Sequence, residues 1–151
     1  MTDYADNARA IIDGNPYMVL GTADADGSPW ASPVWFATAG YREFVWVSKP
    51  GTRHSRNLAQ RPHLAIVIFD STVAPGDGRA VYIDATAEEL TGEDIDAGLD
   101  VFARGSEAAG LTVWTREDVV PPARHRLYRA VASDVFVLDD HDERVPVTLA
   151  A

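Results

Sequence analysis

The sequence contains no cysteine. Without thiols there is neither a disulfide framework nor a thiolate metal site, which excludes disulfide-rich small folds and cysteine-ligated zinc modules. Long apolar runs are missing too, since no stretch approaches the roughly 18 residues that a membrane-spanning helix requires. The acidic start, from Met1 to Asp6, has neither the basic nor the apolar part of a secretory signal. We therefore expect a cytoplasmic protein with no membrane partner.

Basic residues are scarce relative to acidic ones. The 151-residue chain carries 13 lysines and arginines against 23 aspartates and glutamates, which gives a formal charge of −10. Such a surface repels phosphate backbones, which argues against nucleic acid as a partner. Between Lys49 and Arg61, however, four cations lie close together with no acidic residue among them. This basic segment, residues 49–61, is a candidate anion site, and a solvated helix face is the alternative interpretation.

Turn signals divide the chain into many short strands and few helices. Helices are predicted over 3–13, from Thr52 or Ser55 to Gln60, and over 91–108, with one helical turn near 115–118. Strands are predicted over 17–23, 30–38, 43–48, 63–69, 79–90, 126–132 and 134–138, with a further piece at 145–149. This pattern favours a closed or partly closed antiparallel barrel, with residues 1–151 forming a single domain.

Motifs for nucleophilic, metal and phosphoryl-transfer chemistry are missing from the sequence. The four histidines, at 54, 63, 125 and 141, form none of the helical metal-ligand spacings. The acidic run from Asp139 to Glu143 lacks the spacing of a calcium loop and is better explained as a solvated hairpin turn. No nucleophile elbow, P-loop or dinucleotide-binding glycine motif follows a predicted strand. Hydrolase and nucleoside-triphosphatase activities therefore have no support.

The residues from Ser48 to Leu58 form the strongest candidate binding segment. They lead from a strand, through the Lys49-Pro50-Gly51 turn, into the start of a helix. Free amides and the positive end of the helix dipole favour an anion there, and arginines add charge-assisted bonds to a phosphate. Thr52 and Ser55 can each donate a hydroxyl, although either can equally serve as the helix N-cap.

A second feature is the strand that contains Pro33. Proline cannot donate to a strand ladder, so it marks an edge or an irregularity where neighbouring backbone groups are free. A flat heteroaromatic ring with donors and acceptors along its edge would suit such a backbone. Packing in the core or at a dimer contact explains the aromatic residues Trp30, Trp35 and Phe36 equally well.

Taken in order, these features resemble the FMN-binding split barrel of the pyridoxamine 5′-phosphate oxidase-like family. The resemblance implies a mainly β fold, an antiparallel, Greek-key-like split barrel of six to eight strands with a few short helices. It extends from about Tyr17 to Leu90. The matching pieces are residues 18–22, Asp26-Gly27-Ser28-Pro29, Ser32-Pro33-Val34-Trp35-Phe36, Val45-Trp46-Val47-Ser48, 52–62, the apolar strand 64–69 and Gly78-Arg79-Ala80-Val81.

The resemblance also implies a cofactor and a partner. Members of the family bind FMN at the interface of a homodimer, so we expect an oxidoreductase that acts on a small-molecule substrate. The backbone of the Pro33 strand would meet the isoalloxazine ring, and the turn before the second helix would hold the phosphate. Because the cofactor supplies the redox chemistry, no catalytic side chain is assigned. The implied cofactor-binding residues are Ser32, Pro33, Val34 and Trp35 at the ring, Val47 and Ser48 at the ring or ribityl chain, Thr52, Arg53 and His54 at the phosphate, Asn57 in the same motif, and Arg79 on the following strand.

This sequence departs from the family pattern at two places. His54 stands where many relatives have lysine, and a neutral imidazole is a poorer phosphate clamp. The arginine pattern that recognises the vitamin in true oxidases is not evident from Arg124 onwards, which argues against pyridoxamine phosphate as the substrate.

Three functions stay open on the sequence alone. The first, which we favour, is an FMN-dependent oxidoreductase. The second is a reductase using the deazaflavin F420, because a branch of the family binds F420 through a similar segment. The third is a non-enzymatic flavin or haem carrier, or a flavin-free interaction domain.

Overall fold

A computed structural model describes residues 3–149 and confirms the split-barrel fold class. Within this range eight antiparallel strands form one curled sheet, accompanied by three α-helices and a single 3-10 turn. No helix of residues 3–149 is both long and apolar enough to cross a lipid bilayer. The strands are β1 (Tyr17–Ala23), β2 (Pro29–Trp35), β3 (Ala37–Ala39), β4 (Glu43–Ser48), β5 (His63–Phe69), β6 (Ala80–Glu89), β7 (Arg126–Leu138) and β8 (Arg144–Val147). The helices are α1 (Tyr4–Gly14), α2 (Arg53–Gln60) and α3 (Glu93–Ala108), and the 3-10 turn is Arg116–Asp118.

The sheet returns on itself through one residue, Phe36. Its strands follow the order β2-β1-β5-β6-β7-β4-β3, with β8 paired to β7. The two end strands, β2 and β3, are consecutive in the chain and are separated only by Phe36, whose amide donates to the Pro16 carbonyl at 3.3 Å. The prediction of one continuous strand over 30–38 was therefore wrong. Its first part pairs with β1 and its last part with β4, so the chain joins the two ends of the sheet at Phe36.

A bulge shapes the longest strand, β7, which replaces the two strands predicted over 126–132 and 134–138. The first half of β7 pairs with β4, the second half pairs with β8, and β6 runs along nearly its whole length. The register with β6 shifts between Asp84 and Ala85, and the extra residue, Ser133, donates its hydroxyl to the Asp84 carbonyl at 3.0 Å. Such a bulge bends a strand, and here β7 passes from one neighbour to another at this point.

Side chains alternate between the two faces of the sheet along each strand, and an apolar cluster forms on each face. Trp46 and the other residues of the concave cluster come from nearly every strand, and α1 and Leu58 of α2 cover them. The convex cluster lies under α3, where Gly105 packs against Ala37 so closely that an added Cβ would lie 2.7 Å from the Ala37 Cβ. The two clusters together fix α2 and α3 on different parts of the barrel.

Candidate functional site

Helix α2 carries the basic segment and begins directly after the Lys49-Pro50-Gly51 turn. Thr52 is its N-cap, and its Oγ1 accepts a hydrogen bond from the Ser55 amide at 3.3 Å. One side of the helix is buried against the barrel, whereas Arg53 and Arg56 lie on the exposed side. Of the two predicted caps, Thr52 and Ser55, the structure has Thr52. The helix thus presents cations outwards and uncharged polar groups inwards.

A network of hydroxyl and imidazole groups lies beneath the first turn of α2. The Nε2 atom of His54 is 2.9 Å from Ser48 Oγ and 3.3 Å from Thr52 Oγ1. The Thr52 hydroxyl donates either to Ser55 Oγ, at 2.7 Å, or to the Lys49 carbonyl, at 3.0 Å. Burial of His54 lowers its pKa from the usual 6.5, so the imidazole is neutral at pH 7. His54 therefore adds hydrogen bonding rather than charge to this turn.

Asn57 ties α2 to the first hairpin of the sheet. Its Nδ2 donates to Thr22 Oγ1 at 3.1 Å, and the Thr22 hydroxyl donates to the Trp30 carbonyl at 3.3 Å. Both Asn57 and Thr22 are buried. The predicted site residue Asn57 therefore holds the helix against β1 and β2 through its side chain.

The cations of the basic segment have no acidic partner within residues 3–149. None of the six ion pairs in that range includes a residue of 49–61. Arg56 and Arg61 donate instead to main-chain carbonyls, and the guanidinium carbon of Arg53 lies 4.4 Å from the centroid of the Trp30 ring. In a protein with a formal charge of −10, a group of cations without carboxylates is a candidate site for an anion.

The first turn of α2 adds free donors to these charges. The backbone amides of Arg53 and His54 donate to no acceptor in the described chain. Unpaired amides at a helix start, with the positive end of the helix dipole, are suited to bind an oxyanion. The first turn of α2 thus carries two free amides and the Arg53 guanidinium, whereas the hydroxyl hydrogen of Thr52 is donated within the turn.

The Pro33 strand lies at the edge of the barrel, as its proline predicts. Strand β2 pairs with β1 only and forms one end of the strand order. The side chains of Val34 and Trp35 are used in packing, because Val34 lies in the concave cluster and Trp35 contacts Phe102 edge-to-face at 5.2 Å. A ligand beside the strand would therefore meet the backbone of 32–35 rather than these two side chains.

The remaining predicted residues fall at two different places. Val47 and Ser48 end β4 and lie next to the turn, with Val47 on the convex side and Ser48 against His54. Arg79 precedes β6, whereas the end of α2 meets β6 near Ala87, where the Ala87 amide donates to the Pro62 carbonyl. At about 3.3 Å per residue this separates Arg79 from that contact by roughly 25 Å. The structure thus groups Ser48, Thr52, Arg53, His54 and Asn57 at α2, with Val47 beside them. Ser32 to Trp35 lie further along β2 than Trp30, and Arg79 lies apart.

Sequence reasoning missed Thr22 and Trp30 as members of this site. The signal was present in the Asp24-Ala25-Asp26-Gly27 turn, because a hairpin closed there pairs Thr22 with Trp30. What the sequence could not show is that α2 packs on that end of the hairpin.

Comparison with known proteins decides the family. The family model described as pyridoxamine 5′-phosphate oxidase matches residues 4–136. The chain belongs to the pyridoxamine 5′-phosphate oxidase family. A family relative from Rubrobacter xylanophilus, pyridoxine/pyridoxamine 5′-phosphate oxidase, is 31% identical over 116 residues, which cover 76% of this chain and 50% of that protein. The protein of the same name from Paraburkholderia phymatum is 30% identical over 100 residues, which cover 66% and 44%. The chain spans about half the length of these curated relatives.

Solved structures with the same fold include proteins that bind haem. A haem-binding protein from Mycobacterium smegmatis superposes with a TM-score of 0.76 at 21% identity, over 98% of this chain and 59% of that one. The haem storage protein HutZ from Vibrio cholerae gives 0.69 at 20% identity, over 90% and 95%. A putative pyridoxamine 5′-phosphate oxidase from Listeria innocua gives 0.66 at 18% identity, over 90% and 98%. At these identities the likeness establishes the fold alone.

Proposed function

We propose that this member of the pyridoxamine 5′-phosphate oxidase family binds FMN and uses it as an oxidoreductase on a small molecule. The observation that carries the proposal is the basic segment, whose cations have no carboxylate partner within residues 3–149 although the protein is acidic. Free amides of the first turn of α2 lie beside those cations. Family membership then favours a phosphate-bearing flavin as the anion.

In this proposal the phosphate is held by Thr52, Arg53 and the amides of the first turn of α2. His54 orients the hydroxyls of Ser48 and Thr52 beneath it, which explains how an imidazole can stand at a position where many relatives have lysine. Hydrogen bonds from a preorganised turn and a charged guanidinium are the strong kind for an oxyanion. The backbone of 32–35 on the edge strand, together with Val47 and Ser48, would line the ring and ribityl chain.

When bound, FMN supplies the hydride or electron transfer, and the protein supplies binding and orientation. The imidazole of His54 is engaged with two hydroxyls and buried. The chemistry of the site would thus depend on which small molecule can reach the bound ring.

The active form proposed is a homodimer. Large apolar side chains lie exposed on the outer face of β1 and β5, with Tyr17 58% and Phe69 47% exposed. Contiguous apolar surface of this kind on a small protein favours burial against a partner. A dimer also offers a second Arg79 to a site that one chain leaves without it.

Two other ligands compete with FMN. F420 carries an acidic tail, which the same cation-rich turn would accept. A haem-binding protein and a haem storage protein share the fold, so a carrier function is the second candidate. We favour FMN because a phosphate monoester matches one helix start, whereas His54, the histidine of that turn, is buried and hydrogen-bonded to two hydroxyls.

Mass spectrometry of the small molecule that co-purifies with the full chain tests the proposal. FMN, with absorption near 450 nm and reduction by a chemical donor, is the expected result. A band near 420 nm with tighter binding of F420 would move the assignment to the deazaflavin. A Soret band, with no affinity for either flavin, would overturn the oxidoreductase and support a haem carrier.

A further inference from the structure

We propose that Trp30 is a positioning residue of the anion site, because its indole ring holds the Arg53 guanidinium at the first turn of α2. The inference rests on the proposed phosphate site and names a residue outside the set that the family resemblance implies. Trp30 would act through Arg53 and need not touch the ligand.

The first observation is the stack itself. The guanidinium carbon of Arg53 lies 4.4 Å from the centroid of the Trp30 ring, well within the range of a cation–π contact. The Trp30 side chain is 42% exposed, so the ring is not consumed by the core. Arg53 has no ion pair within residues 3–149, and the ring is its one charge-directed partner there.

The second observation is that Trp30 is fixed to the same helix at another point. The Trp30 carbonyl accepts from Thr22 Oγ1, which in turn accepts from Asn57 Nδ2. Asn57 lies one helical turn after Arg53. The contacts therefore form a closed circuit, from Arg53 to the indole, through β2 and β1, and back to α2. Because the circuit begins and ends on α2, the ring keeps its place relative to the first turn.

An aromatic ring and a carboxylate affect the hydrogen-bond donors of Arg53 differently. An aromatic face attracts the cation without accepting its N–H groups, so the five donors of the guanidinium stay free for an oxyanion. An exposed arginine otherwise loses rotamer entropy when it binds, and a stack formed beforehand reduces that loss. Trp30 would thus raise affinity by preparing Arg53 rather than by adding a contact.

A four-variant cycle tests the inference. FMN is titrated into the full-length wild type, Trp30→Ala, Arg53→Ala and the double variant, with calorimetry as the readout. Trp30→Ala is expected to weaken FMN binding by about three- to tenfold, and the double variant to be about as weak as Arg53→Ala alone. Tyr41→Ala, which removes the ring from the Arg9 contact at the Glu43 end of β4, opposite to Ser48 and α2, is the matched control and should leave FMN binding unchanged.

Two further variants separate positioning from folding. Trp30→Phe keeps an aromatic face and should restore most of the affinity, whereas Trp30→Leu keeps apolar volume without that face and should not. All variants are compared by thermal unfolding, so that a loss confined to a destabilised protein is recognised. Equal affinity in the Phe and Leu variants would assign Trp30 a merely structural role.

The outcomes also separate this inference from the proposed function. If the wild type binds FMN and Arg53→Ala weakens it while Trp30→Ala does not, only the role of Trp30 fails. Additive losses in the double variant would likewise overturn it, because Trp30 would then act independently of Arg53. If the wild type itself binds no FMN, the phosphate site fails and the inference fails with it.

Discussion

Two arginines of this barrel lie over aromatic rings, and their surroundings differ. Arg53 lies 4.4 Å from the Trp30 centroid, and Arg144 lies 5.1 Å from that of Tyr82. Arg144 also faces Asp142, with 3.7 Å between the guanidinium and carboxylate, whereas Arg53 faces no carboxylate. The comparison shows that the stack alone does not mark a binding site. What marks it is a charge that the chain leaves unmatched.

The residues around Arg144 and around Arg53 differ in charge in the same way. Beside Arg144, Arg79 pairs with Asp140, and both aspartates belong to the acidic turn between β7 and β8. The basic segment of 49–61 contains no acidic residue at all. Arg79 and Arg144 are thus paired with carboxylates of the protein, whereas the basic segment is free to bind a negative group from outside.

The largest expected effect comes from removing the unmatched charge. Arg53→Ala should weaken FMN binding by about 1.5–3 kcal/mol, the range of a charge-assisted hydrogen bond, which is at least tenfold in the dissociation constant. Arg144→Ala removes an equivalent stack and should change the constant by less than about twofold. Titration of both variants by flavin fluorescence checks the comparison. Equal losses in both would show that the unmatched charge is not what binds the ligand.

A smaller effect is expected when the basic segment is given a carboxylate of its own. Arg56→Glu places an acid three residues after Arg53 on α2, where the two side chains can meet. The local neutralisation should cost about 1 kcal/mol of FMN affinity, or roughly fivefold. Arg104→Glu on α3 changes the net charge equally and serves as the control. A similar loss in both would indicate a general charge effect instead.

The next prediction concerns the stability of the α2 end against pH. Burial lowers the pKa of His54 in the folded protein below the 6.5 of an exposed imidazole, so the unfolded chain takes up the proton first. The stability is therefore fully present above about pH 6.5 and falls as the pH drops through that value. The free energy of unfolding is measured in urea at about pH 7.5 and about pH 5.5, and His54→Gln should narrow the difference between the two free energies. An unchanged difference in His54→Gln would contradict the burial effect.

The smallest effect is expected when Arg144 loses the carboxylate that it faces. Asp142→Asn removes the carboxylate facing Arg144 while asparagine tolerates the positive φ of 61° at this position. Because the pair is exposed, the free energy of unfolding should fall by no more than about 0.5 kcal/mol. Urea denaturation measures this change. The acidic turn keeps its other carboxylates, so Asp142→Asn should not create a phosphate site near Arg144. Phosphate binding by this variant in calorimetry would contradict that expectation.

The fold was accessible from sequence wherever turn chemistry and side-chain alternation acted locally. Strands β1, β4 and β5 were predicted with the bounds that the structure shows, since Pro16, the Asp-Gly hairpin and Pro62 delimit their ends. The break at Phe36 was missed, and the interruption predicted at residue 133 is a bulge within one strand rather than a gap between two strands. In both places one strand changes partners, which depends on strands that are distant in sequence.

The sequence predicted the charges of the candidate site but not its geometry. The absence of acids from 49–61 was visible in the letters, and so was the helix start at Thr52. The burial of His54 was not, because it depends on α2 packing against Ser48. The separation of Arg79 from α2 also depends on tertiary structure, because it follows from the pairing of β6 with β5 and β7.

Strand β7 joins the two halves of the sheet, since it lies between β6 and β4. It is synthesised after both of these neighbours. Until it is synthesised, both β6 and β4 have an open edge of unpaired backbone groups, which invites association between nascent chains. The acidic character of the chain would oppose such encounters by mutual repulsion during that interval.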